Sequence, residues 1–146
     1  MSLFDPESFL STTYNESTST EFVPVPEGEY YAVATAVMPR EVQTKGGPRV
    51  VLEVTWTIQG DLSEATGREV NTVKQGIFLD LTDRGHLDFS KGRNIRLGRL
   101  RDALGQNEDG KPWSPRDIVG KAARISVTHR MQGSDIYADV GEVAPF

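Results

Sequence analysis

The chain has 146 residues, enough for one domain with a real core, and 37% of them are hydrophobic, a lowish share that suggests part of the chain is not packed. It contains no cysteine, which excludes disulfides, thiolate metal sites and cysteine nucleophiles. No apolar run approaches the ~20 residues that cross a bilayer, and the opening MSLFDPES has neither the basic nor the apolar part of a secretory signal, so a cytoplasmic protein is expected.

The net charge of −5 is unevenly spread. Residues 1–39 hold six acids and residues 131–146 hold three, with no Lys or Arg in either stretch. All 16 basic residues therefore fall within 40–130, where 12 acids leave a formal +4. Acidic ends flank a basic middle, and a basic middle suits a polyanionic partner.

Residues 1–26 read as an extended acidic arm, rich in Ser and Thr, with 27–146 as the folded body. Asp5-Pro6 starts a short helical turn through Phe9 and Leu10, and Pro24 and Pro26 stiffen the approach to the first strand. That strand is expected over 28–38, with Ala32, Ala34 and Ala36 making a small-residue face. A loop over 39–48 follows, carrying Arg40 and Lys45, with Gly46-Gly47-Pro48 for turning and Arg49 at its edge. The second strand, 50–58, puts Leu52, Val54, Trp56 and Ile58 on one face, which makes Trp56 a core residue.

The third strand is expected over 68–81 with a bulge or bend at Gly76; Ile77, Leu79 and Leu81 face one way and Phe78 the other. Residues 91–105, KGRNIRLGRLRDALG, read as the one long helix: Leu97, Leu100 and Leu104 form its apolar face, Asn94 its N-cap and Gly105 its C′ residue. Ser114, Pro115 and Asp117 predict a short capped turn. Strands over 122–131 and 135–143 make a closing hairpin, the first pointing Ala123, Ile125, Val127 and His129 inward. Three strands, a helix and two strands is the order of a five-stranded OB-like Greek-key barrel, in which closure removes exposed edges; an open sheet packed by the one helix is the competing architecture.

Several stretches also carry a resemblance: FVPVPEGEY at 22–30, LEVTW at 52–56, QGIFLDL at 75–81, GRLRDALGQ at 98–106 and IVGK at 118–121. In these the chain resembles a family of small proteins of unknown function encoded by tailed phages near replication and recombination genes. The resemblance implies a single-stranded DNA-binding role in the host cytoplasm. It supplies no set of binding residues.

Single-strand binding needs a cationic groove for phosphates and aromatic faces for bases. OB barrels use the second and third strands and the loops flanking them. On that pattern the candidates are Arg40, Lys45 and Arg49 in and beside the first loop, Arg68, Lys74 and Phe78 along strand three, and Arg124 and Arg130 on strand four. Tyr31 and Tyr137 are weaker stacking candidates. For each cation the competing reading is a solvated surface charge. The arginines of the helix are expected to lie away from the site, as a second surface for DNA or another subunit. Trp113 is expected to seal the barrel.

Phe146, which follows Asp139 and Glu142, resembles the Phe-terminated tails by which many single-strand binding proteins recruit replication partners, though with few acids, and is a candidate partner-binding residue. Glu69, Asp80, Asp83, His86 and Asp88 form the best case for a hydrolytic metal, but their spacing matches no metal loop. Phosphate-binding glycine fingerprints, GxSxG and HExxH are all missing from the sequence. The expectation is a non-enzyme without cofactor or metal, binding single-stranded DNA and phage or host replication proteins and forming a homo-oligomer through the arm or helix face. A phage protein-interaction or assembly module is the alternative.

Overall fold

A computed structural model describes residues 3–146. Five strands, β1 (Gly28–Thr44), β2 (Gly47–Ile58), β3 (Thr72–Leu79), β4 (Ala122–Gln132) and β5 (Asp135–Pro145), form a closed barrel in the order β1-β2-β3-β5-β4, compatible with an OB-like barrel. Helices α1 (Pro6–Ser11), α2 (Ser63–Thr66) and α3 (Ile95–Ala103) are short, and α3 lies between β3 and β4 in the chain. A 3₁₀ turn, Pro115–Ile118, precedes β4.

The alternation in β2 decides the interior. Leu52, Val54, Trp56 and Ile58 are all buried, and Trp56 is 0% exposed. Its neighbours across the ladder are Ala34 of β1 and Val73 of β3. Ala32 and Ala34 are fully buried, so their small side chains leave the volume that the indole fills. The indole N–H donates to Gln75 Oε1 at 2.9 Å, which satisfies both groups inside the barrel. A bulge at Thr35 then shifts β1 by one residue, and Val37 instead of Ala36 packs on the core. A second bulge offsets β5 against Ile125 and Val127; there Ser126 Oγ accepts the Glu142 N–H at 2.8 Å. A Cβ on Gly141 would meet that oxygen at 3.1 Å, so the approach favours glycine.

Leu97 and Leu100 of α3 are buried in the same core, with Leu104 packed against it. The helix is shorter than 91–105. Gly92 and Asn94 take positive φ (85° and 53°), which ends helical geometry before Ile95. Asn94 is not a side-chain cap. Its amide joins two distant segments instead: Oδ1 accepts the Asp80 N–H at 2.8 Å, and Nδ2 donates to the carbonyls of Asp80 and Asp88. At the other end Gly105, with φ 69°, donates to Asp102 O while Gln106 donates to Arg101 O, a Schellman close. Asp117 accepts the Ser114 N–H at 2.9 Å, as the capping pattern predicts.

Other boundaries also differ from expectation. β1 and β2 are one long hairpin, and the expected 39–48 loop shrinks to a turn at Lys45-Gly46. Pro39 is tolerated because β1 beyond Val33 pairs with β2 alone, so its other edge needs no N–H donor. β3 starts at Thr72, since α2 and the left-handed Gly67 (φ 75°) take up the residues before it. Gly76 is no bulge: it sits in register opposite Glu53. His129 does not face the core. It is exposed, its N–H donating to Glu27 and its Nε2 2.7 Å from the Val25 carbonyl. Val25 itself is buried, which fixes the approach of residues 24–27 to the barrel.

Two tests follow from this packing. Gln75→Leu should leave the Trp56 N–H unpaired in the core and lower the unfolding free energy by about 1–3 kcal/mol in urea melts. Gln75→Leu combined with Trp56→Phe should cost less than the two changes summed. The Tyr30 phenol, which donates to Pro26 O at 2.7 Å, is pushed above its usual value near 10 by burial. The folded state then holds this proton more tightly than the unfolded chain, so its contribution to stability is complete below about pH 10 and declines as pH rises further. In an absorbance titration of the four tyrosines, one should ionise last, and Tyr30→Phe should remove that phase.

Candidate nucleic-acid interface

Barrel closure sets β3 beside β5 in parallel, with Lys74 opposite Asp139. The outward side chains of β3 are Thr72, Lys74 and Phe78, with Gly76 leaving a bare patch between the last two. Groove-side residues of β2 and the far half of β1 continue this face: Val51, itself buried, pairs with Phe78 and Arg40, and Glu53 with Gly76. The result is an open groove of about 940 Å³. The β1–β2 hairpin walls one part of it, Tyr137 and Arg130 of the β4–β5 hairpin another, and Phe22 and Pro24 of the N-terminal segment a third.

The groove is lined by five cations, Arg40, Arg68, Lys74, Arg96 and Arg130, against two carboxylates, Glu53 and Asp139. This is a local excess of positive charge on a chain whose net charge is −5. The carboxylates act as braces. Glu53 lies 3.5 Å from Arg40 and 3.3 Å from Lys74, and Asp139 lies 2.7 Å from Arg130 Nε. The hydrogen bond and charge of Asp139 hold the Arg130 guanidinium above its already high range, so it is a fixed cation. Exposed pairs of this kind contribute little to stability, but they fix where long side chains point.

In and beside the groove, three arginines lie over rings: Arg49 over Phe78 at 4.6 Å, Arg68 over Phe22 at 4.5 Å and Arg130 over Tyr137 at 5.0 Å. Phe78 remains 42% exposed and Tyr137 41%. Each ring thus has a guanidinium within cation–π distance and part of its surface exposed.

Of the candidates from sequence, Arg40, Arg68, Lys74, Phe78 and Arg130 thus come together in one groove, with Arg49 at its margin between Phe78 and Asp80. Arg40 and Arg49 are strand residues, not loop residues. Arg68 lies before β3, not on it. Lys45 is exposed in the tight turn beyond the lining, and Arg124 sits outside the groove on β4, across from Tyr31 and Ala144. Tyr31 packs edge-on against Phe146 at 5.1 Å, so neither ring belongs to the groove.

The helix cannot be set aside as a whole, because Arg96 reaches the lining. Arg101 has a structural post: it lies 4.0 Å over Trp113 and donates to Gln106 O, while the indole donates to Gln106 Oε1. Phe22 is the residue that strand-based reasoning missed. Its only signal was an excess of apolar residues in an otherwise polar arm. Asp80 and Asp88 are engaged in shaping the loop before α3: Asp80 accepts the Asn94 N–H and Asp88 binds the hydroxyl and N–H of Ser90, which lower its pKa.

No family model matches the chain, and no curated protein matches it either.

The bracing scheme has a direct check. Glu53→Gln should change stability by less than about 1 kcal/mol. It should also free Arg40 and Lys74 and raise the salt needed to elute the protein from heparin. An unchanged elution would mean that Glu53 does not neutralise these two cations.

Proposed function

We propose that this protein is a phage single-stranded DNA-binding protein with an OB-type barrel, acting without sequence specificity in replication and recombination in the host cytoplasm. One observation carries the reading: the groove is lined by five cations together with the part-exposed rings of Phe78 and Tyr137. Phosphates pair with Lys74, Arg68 and Arg96, which line the groove, while bases stack on the two rings. Every base has a π face, so stacking tolerates any sequence. Lys74 shares Glu53 with Arg40, and the phosphates compete with that carboxylate for both cations; Arg130, held by Asp139, contributes field and position more than a new ion pair. Arg49 backs the Phe78 ring and keeps it in place.

The alternative, a non-enzymatic interaction or assembly module, draws on a different observation. Phe9 and Leu10 of α1 are exposed, and the Phe9 ring lies 5.5 Å from that of Phe4 and 6.4 Å from that of Tyr14. This aromatic group suits a protein surface better than a phosphate chain.

A titration of fluorescent oligo-dT at several salt concentrations separates the two. With at most five groove cations on phosphates, log affinity should fall against log salt with a slope no steeper than about −3.5. Lys74→Ala should make the slope shallower by about 0.7. Phe78→Ala should cost about 1–3 kcal/mol at every salt concentration. Absence of binding at low salt would sink the DNA reading and leave the interaction module.

A further inference from the structure

We infer that Phe22 of the N-terminal segment fills the Arg68 end of the groove in the place of a base, and that an incoming strand displaces it. The inference rests on the DNA-binding reading above. The Phe22 ring lies 4.5 Å beneath the Arg68 guanidinium, and Phe22 and Pro24 form part of the groove wall. Phe22 is 68% exposed, so this contact is not one the core requires.

The segment is pinned immediately downstream. Val25 is buried, its carbonyl is 2.7 Å from His129 Nε2, and the Glu27 carboxylate accepts the His129 N–H at 3.0 Å. Upstream of that pin, residues 1–24 carry Asp5, Glu7, Glu16 and Glu21 and no Lys or Arg. The pin therefore tethers Phe22 and Pro24 at the wall of a cationic groove.

The aromatic ring offers Arg68 the π face that a base would offer. The pin makes this an intramolecular contact, with an effective concentration of order millimolar. It competes with short strands and yields to longer ones, which engage several cations at once. The displaced segment, with α1 and its aromatic group, then becomes free to meet another protein or a neighbouring copy on the same strand.

The sign of one substitution decides the matter. Full-length Phe22→Ala should bind a short oligo-dT about two- to five-fold more tightly than the native chain, since the contact it removes is an exposed cation–π pair. Arg68→Ala should weaken binding and abolish the gain from Phe22→Ala. In the native protein, chymotrypsin cleavage after Phe22 should speed up when the oligonucleotide is added, a readout that needs no variant to fold. Tighter binding together with faster cleavage supports the competition. Weaker binding by Phe22→Ala would make Phe22 a platform for bases, and unchanged binding would make the contact inert; either overturns this inference while the DNA reading stands. If neither the native chain nor Phe22→Ala binds at low salt, both fall.

Discussion

The structure depends on the closure of the barrel between β3 and β5. These strands are about sixty residues apart in sequence and run parallel, with Lys74 registered against Asp139. All other neighbouring strands are antiparallel, and the β1–β2 and β4–β5 pairs are simple hairpins. Closure joins the edges of β3 and β5 in the body of the barrel, and it brings Arg130, Tyr137 and Asp139 beside Lys74 and Phe78. The groove is thus a consequence of closure, and its opposing walls come from distant parts of the chain.

Closure in turn requires an interior of the right volume. Trp56 fills it because Ala32 and Ala34 do not compete for the space, and Gln75 meets the one polar atom the indole carries. Since Gln75 lies between Lys74 and Gly76, the residue that satisfies the core also fixes the outward direction of its neighbours. The same strand that buries Val73, Gln75 and Ile77 presents Lys74 and Phe78 to the groove. Packing inside and charge outside are set by one alternation.

The interior of β2, Ala32 and Ala34 of β1, the leucines of α3 and the Ser114–Asp117 cap were legible in the sequence, because each is a local pattern with one physical solution. The bulge that takes Ala36 off the core was not, and neither was the 39–48 stretch. Pro39 and Gly46-Gly47-Pro48 are turn signals, but a strand paired on one side tolerates proline, and the chain turns within Lys45-Gly46. His129 follows the inward alternation of β4 and yet is exposed, because the hairpin there runs past the body of the barrel toward Val25 and Glu27. In the site, the basic residues and Phe78 could be chosen from alternation, but charge alone does not say which face a cation shares with another. Lys45 and Arg124 were therefore grouped with residues they do not meet, while Arg96 and Phe22 reach the groove by long-range packing.

The most direct test of the account is a map of backbone amide shifts by NMR as a short oligo-dT is added. The account predicts perturbations concentrated on residues 72–79 of β3 and 137–140 of β5, with Arg68, Arg96 and Phe22 following at the same concentrations. Perturbations confined to Tyr31, Arg124 and Phe146, or to the Lys45 turn, would place the strand on another surface and contradict it.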